Sequence, residues 1–180
     1  DKYLVHRRRP DATTLTGANQ VWVGDITYIR MGEKHLYLAV VMDLFNRKVV
    51  GWYLSQKRDG RLTMEAMNRA LQRERPAPGL VFHSDQGIEY ASYALRSMLG
   101  AHRIEQSMSR RGNCYDNAHM ESFFHSLKTE CLYHYRLPDP GAVEKLVFRY
   151  IEAFYNRERR HSSLGYLSPS AYQARHENDR

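Results

Sequence analysis

The 180-residue sequence has only two cysteines, Cys114 and Cys131, and no C-x-x-C spacing. Two thiols cannot build a disulfide framework or, unaided, a zinc site, so they are expected to be free and structural. No apolar run approaches the roughly 20 residues that a bilayer-spanning helix needs. No charged-then-apolar leader opens the chain. There is no internal repeat of a solenoid type. Acidic residues are in deficit: 20 Asp and Glu face 27 Lys and Arg, for a net charge of +7. These features lead us to expect a soluble, cytoplasmic, nucleoid-associated protein with no membrane partner. The first residue is Asp rather than Met, so the chain is read as a fragment or a processed form.

With 42% hydrophobic and 26% charged residues, the composition is that of a globular domain with a sizeable core. The basic excess points to a polyanion, and nucleic acid is the first candidate. It is clustered in HRRR (6–9), SRRG (109–112) and NRERRH (156–161).

Residues 1–19 show no apolar period and read as a basic linker or arm. Three strand-like runs follow, VWVGDITYI (21–29), HLYLAVVMDL (35–44) and KVVGWYL (48–54). Their β-branched and aromatic content and intervening turns predict an antiparallel meander. A helix is expected over 60–75, capped by Asp59, with Met64, Met67, Ala70 and Leu71 on one face. Arg75-Pro76 ends it. A short strand, LVFHSD (80–85), precedes a helix from Ser92 to Leu99 closed by Gly100. A fifth strand over 102–109 and a Gly-, Asn- and Arg-rich loop, RRGNCYDN (110–117), come next; residues 109–116 are expected to be mobile without DNA. Two helices complete the core, one over 117–131 and one from Pro140, capped by Asp139, with Val143, Leu146, Val147, Tyr150, Ile151 and Phe154 on its apolar face. The segment from Arg157 reads as a basic, loop-like tail. The order β-β-β-α-β-α-β-α-α predicts an α/β fold with a mixed five-stranded sheet flanked by helices, as in RNase H-like proteins. The core is assigned to 20–157 and the basic C-terminal tail to 158–180.

Three acids stand in unusual company. Asp25 lies inside the first strand, where Asp is depleted. Asp85 ends the fourth strand, where it would ordinarily be a turn former. Glu121 lies in NAHMESFF, beside two aromatics and a methionine. If the first and fourth strands are neighbours, their acids face a helix carrying Glu121. Three convergent carboxylates repel one another unless a cation lies between them. Hard oxygen ligands select Mg²⁺ or Mn²⁺, and two such ions roughly 3.5–4 Å apart support phosphoryl transfer. Asp43, at the end of the second strand, is assigned a structural or supporting role.

On the helix, Met120, Phe124, Leu127 and Cys131 form an apolar stripe, with Phe123 at its margin. Asn117, Glu121, His125 and Lys128 form a polar stripe roughly 80° away. Glu121 is therefore expected beside the buried face and open to a groove, with the three carboxylates within metal-binding reach of one another. Lys128, Asn117, His125 and the loop residues Arg110 and Arg111 are candidate DNA contacts.

The motifs WVGDITY, HSDQG, SMSRRGNCYDNAHMESFF, LKTE and YNRERRHSSLGYLSP resemble the catalytic core of bacterial insertion-sequence transposases, relatives of the retroviral integrases. The resemblance runs from about Gln20 to Tyr172, and the 35 residues between Asp85 and Glu121 match it. It implies that Asp25, Asp85 and Glu121 are a DDE triad binding two divalent ions. It implies that Lys128 contacts the transposon end and that the protein cleaves and transfers DNA strands within a DNA-bound multimer. It also implies an N-terminal helix-turn-helix region, which this chain lacks; the segment 6–9 reads as the linker to it. An RNase H-like nuclease without strand transfer, or a catalytically silent DNA-binding or assembly module, are the alternatives.

Overall fold

The computed structural model describes residues 14–109 and 118–178. Three antiparallel strands open it: β1 (Val21–Met31), β2 (Lys34–Asp43) and β3 (Val49–Ser55). The first hairpin is tighter than expected. Pairing runs to Met31 and Lys34, leaving a two-residue turn in which Gly32 takes φ 59°. Such a turn favours glycine. The second turn is held by Asp43, whose buried carboxylate accepts from the backbone N–H groups of Asn19 (2.6 Å) and Phe45 (2.8 Å). Asp43 pairs in register with Trp22, three positions before Asp25. These bonds tie the turn after β2 to the segment that leads into β1.

Helix α1 (Gly60–Glu74) is capped by Asp59, which accepts from the N–H groups of Arg61 and Leu62. It buries Leu62, Thr63, Ala66, Met67, Ala70 and Leu71, while Met64 is only half-buried. Helix and sheet touch at Gly51: a Cβ there would lie 2.8 Å from both the N and the Cβ of Ala70 and would collide with the Ala66 carbonyl. Strand β4 (Val81–Ser84), helix α2 (Tyr93–Ala101) and strand β5 (Glu105–Met108) complete the sheet. Ser92 caps α2, and the helix passes over Gly100 rather than stopping at it. Arg103 instead takes the left-handed turn that leads into β5 (φ 55°).

The sheet order is β3-β2-β1-β4-β5, with β4 parallel to β1 and β5 parallel to β4. The expected mixed five-stranded sheet is present, with β1 and β4 adjacent at its centre. Alternation sends Trp22 and Phe82 to the face covered by α1 and α2, and Val21, Val23, Leu38 and Val40 to the other. A bulge in β3 lets Val49 and Trp52, three residues apart, share that second face.

The second face is covered by α3 (Ala118–Glu130) and α4 (Pro140–Phe148), the latter capped by Asp139. The last long helix is not α-helical throughout. From Arg149 to Tyr155 it widens to a π-helical stretch, with Asn156 donating to the Ile151 carbonyl five residues back. The extra residue per turn rotates the buried face. Tyr155 enters the core in place of the expected Phe154, which is 39% exposed. The rotation also aims Asn156 at the sheet. Its side chain accepts from the Val49 N–H (2.9 Å) and donates to the Val49 carbonyl (3.0 Å).

The segment beyond Arg157 is not a loop-like tail. A bridge joins His161 to Leu167, Gly165 takes φ 62°, and the Ser168 hydroxyl accepts from the Ala171 N–H (3.3 Å) at the start of α5 (Pro169–Asn178). Tyr172 and His176 of α5 stack against Phe45, and Ser170 donates to the Asn156 carbonyl. Among the described residues no helix is long and apolar enough to cross a membrane.

Two outcomes follow for stability. Asn156→Ala leaves the buried Val49 N–H unpaired and its carbonyl with only the longer bond from Arg73 (3.4 Å), and is expected to cost about 1–3 kcal/mol, measurable by urea denaturation. Burial, with Arg159 and Arg47 nearby, holds the His161 imidazole down to about 4, below its ordinary ~6.5. The fold therefore favours the neutral ring. Its contribution is complete above pH ~6.5 and declines as pH falls through 4. His161→Phe should flatten the decline of the urea midpoint between pH 7 and 4.

Candidate active site

The site begins with strand register. β1 and β4 pair in parallel only over Val21–Val23 and Val81–His83. Continued two residues further, that register sets Asp25 level with Asp85, just beyond the end of β4. Ligand crevices of open α/β sheets form beyond the carboxyl ends of such strands. Odd-numbered positions of β1 face α3, since Val21 and Val23 pack with Met120 and Phe123. The Asp25 carboxylate accepts from the Ile26 N–H (2.8 Å). The Asp85 carboxylate accepts from the Gly87 N–H (2.8 Å), closing a tight turn after the strand.

Helix α3 brings the third acid. Met120, Phe123, Phe124 and Leu127 are all buried, and Phe123 is among the most deeply buried side chains rather than at the margin of the stripe. It packs edge-on to Tyr155, with ring centroids 4.8 Å apart. This face fixes the rotation of the helix and leaves Glu121 and His125 exposed. Lys128 is half-buried, with its ammonium 4.9 Å above the Tyr28 ring. Arg110, Arg111 and Asn117, with most of the expected mobile loop, lie outside the described residues.

The three acids share one field. Burial pushes the Asp25 carboxyl up to about 6, and the Asp85 and Glu121 carboxylates add to the rise. The expected approach to metal-binding reach is not fully made: among the described residues, no three His, Cys, Asp or Glu side chains gather closely enough to hold an ion. Asp85 and Glu121 are both exposed. The donor set still suits a hard divalent cation, being all oxygen and strongly anionic.

The family model described as Integrase core domain matches residues 16–114, and a second model of the same description matches residues 102–169. The chain belongs to the integrase core domain family. An uncharacterized 31 kDa protein of insertion element IS600 from Shigella sonnei is 44% identical over 161 residues, covering 89% of this chain and 59% of that protein. Transposase InsF for insertion sequence IS3A from Escherichia coli strain K12 is 45% identical over 158 residues, covering 88% and 55%. The chain thus spans little more than half the length of these curated relatives. Among solved structures, a simian T-cell lymphotropic virus intasome in complex with PP2A regulatory subunit B56 gamma superposes with a TM-score of 0.73 at 20% identity, covering 93% of this chain and 57% of that one. The HTLV-2 integrase catalytic core domain in complex with magnesium gives 0.65 at 18%, covering 87% and 97%. The fold is therefore that of the retroviral integrase cores, the RNase H-like arrangement expected.

This integrase core carries further charged groups at the site that the sequence reading missed. Glu89 is buried and pairs with Arg58 (2.7 Å). Arg58 also acts on Asp25, holding its carboxyl down against the larger rise from burial. Tyr90, fully buried, is pushed up by burial and then by Asp25, Asp85 and Glu89. An acid four residues after Asp85 was a visible signal; the arginine that answers it comes from the distant β3–α1 connection. Gly87 lies between the acids. A Cβ there would fall 2.8 Å from a Glu89 oxygen and 2.9 Å from an Asp85 oxygen. If these acids hold Mg²⁺, Gly87→Ala is expected to weaken its binding by tenfold or so (~1.4 kcal/mol) with a nearly unchanged melting temperature, as read by calorimetric titration beside thermal denaturation.

Proposed function

We propose that this chain is the catalytic core of an insertion-sequence transposase, performing metal-dependent DNA strand cleavage and strand transfer. The observation that carries the reading is the shared field of Asp25, Asp85 and Glu121 at the open end of β1 and β4, in a chain of the integrase core domain family. Its likeness to transposase InsF supports the transposition chemistry.

In this reading Asp25, Asp85 and Glu121 hold two Mg²⁺ or Mn²⁺ ions. When bound, such ions activate an attacking oxygen and stabilise a leaving one. Asp25 supplies a rigid carboxylate, fixed by its strand and its bond to Ile26. Asp85 is fixed by its turn, and Glu121 by the anchored face of α3. Lys128, 4.9 Å from the Tyr28 ring on the same side of the helix, positions a DNA phosphate, with His125 beside it. Arg110, Arg111 and Asn117 are assigned to the same DNA surface. The partners are transposon ends and target DNA, held in a homomultimer.

The test is strand cleavage and joining on terminal-repeat DNA with Mn²⁺. Glu121→Gln should lower both by roughly a hundredfold or more while leaving the melting temperature within a degree or two. Equal activity in the two proteins would remove Glu121 from the chemistry. Cleavage by the parent without any joined product would favour a simple nuclease.

A further inference from the structure

A small polar cavity of about 70 Å³ lies on the flank of α3 turned away from Glu121. The helix contributes His119, Ser122 and Ser126 to its wall. At about 100° per residue, these positions lie roughly 100–160° around the axis from Glu121 and roughly 120–180° from Lys128. The opposite wall is the turn residue Arg47 and the YNRERRHSS segment, through Arg159 and His161. Ser122 and Ser163 are exposed and form the mouth.

The lining is rich in donors and basic in character. Arg159 spends its Nε and Nη2 on Glu130 (2.6–3.1 Å), with Nη2 also reaching the Ser126 hydroxyl (3.2 Å). Arg47 is different. It is half-buried, its Nη1 donates to the Leu44 carbonyl (2.7 Å), and among the described residues no carboxylate stands within ion-pair distance. Asp43 attracts it only from farther away. The His161 ring packs edge-on to Tyr155 (5.0 Å), and its Nε2 is buried without a hydrogen-bond partner among the described residues. A half-buried guanidinium without a carboxylate and an orphaned ring nitrogen both demand a partner. Arg47 and Arg159 both act electrostatically on His161, so the cavity is positive while the imidazole is neutral. Serine hydroxyls around such a charge make a cradle for a tetrahedral oxyanion.

We propose that this cavity binds an oxyanion, the phosphodiester of a DNA backbone, on a different flank of α3 from Glu121. The assignment to DNA rests on the strand-transfer reading; the oxyanion chemistry rests on the cavity alone. Helix α3 would then be held between two phosphate contacts, one beside Lys128 and one at Arg47.

Two measurements separate these layers. The first titrates inorganic phosphate into the protein and follows the ¹⁵N signals of the His161 ring by NMR. Saturable movement is expected in the parent and its loss in Arg47→Asn, chosen because Arg47 has φ 62°, a conformation Asn tolerates. Ser122→Asp, an exposed change at the mouth, should abolish it also. The second measures DNA affinity against salt concentration. Each variant should lower the log–log slope by about one, with unchanged melting temperature. No phosphate-dependent shift in the folded parent would overturn the oxyanion site. A shift with unaltered DNA slopes would overturn the DNA assignment and leave a free-phosphate site. A parent that takes phosphate but binds no DNA at all would overturn the strand-transfer reading together with that assignment.

Discussion

The central strand β1 has hydrogen-bonding neighbours on both sides only as far as Val23. Beyond that point β2 continues beside it to Met31, but β4 stops at Ser84. A central strand that loses one neighbour opens a gap in the sheet, and the gap is where a polar side chain can be kept without burying it completely. Asp25 occupies that place. Had the parallel pairing run on, its carboxylate would sit in a sealed sheet and Asp85 would be a ladder residue. The shortness of β4 is therefore what leaves a strand-interior aspartate at an open gap. The covering helix must then reach the gap without filling it, and the burial of Met120, Phe123 and Leu127 sets α3 at that distance.

Helix α3 divides its circumference three ways. One face is apolar and fixes rotation, one bears Glu121 and Lys128, and one lines the polar cavity with Ser122 and Ser126. Few helices expose two chemically active flanks, because a surface helix ordinarily has one wet side. Here the Arg159–Glu130 pair and the Tyr150 hydroxyl, which donates to Glu130 (2.7 Å), tie the far flank to the π-helical stretch. The basic run after Tyr155 thus supplies less free surface charge than its composition suggests. Asn156 is buried, Arg159 is paired, and Ser168 sits at the start of α5.

Much of this was legible in the sequence. The positions of Asp25 inside a strand, Asp85 at a strand end and Glu121 beside an apolar stripe all follow from residue type and period. What could not be read came from interactions that periodicity does not carry. Counting at 3.6 residues per turn put Phe154 inward, because nothing in the spacing announces the π-helical widening that brings Tyr155 in instead. Phe123 looked marginal since a stripe drawn through Met120, Phe124 and Leu127 passes beside it, whereas Tyr150 and Tyr155 of the π-helical stretch cover it. Helix α5 has no apolar period and is held by Phe45 and Asn156 from distant parts of the chain. The Glu89–Arg58 pair likewise joins two connections that only the fold brings together.

The outer edge of the sheet closes with Asn156. Its amide answers both the N–H and the carbonyl of Val49 as a neighbouring strand would. Arg73 reaches the same carbonyl, and Arg69 caps that of Trp52. An exposed strand edge is a template for another chain, and these side chains occupy the template on β3. Sheet extension by another copy is therefore blocked at this stretch of β3, and a contact made there would join side chains rather than backbones.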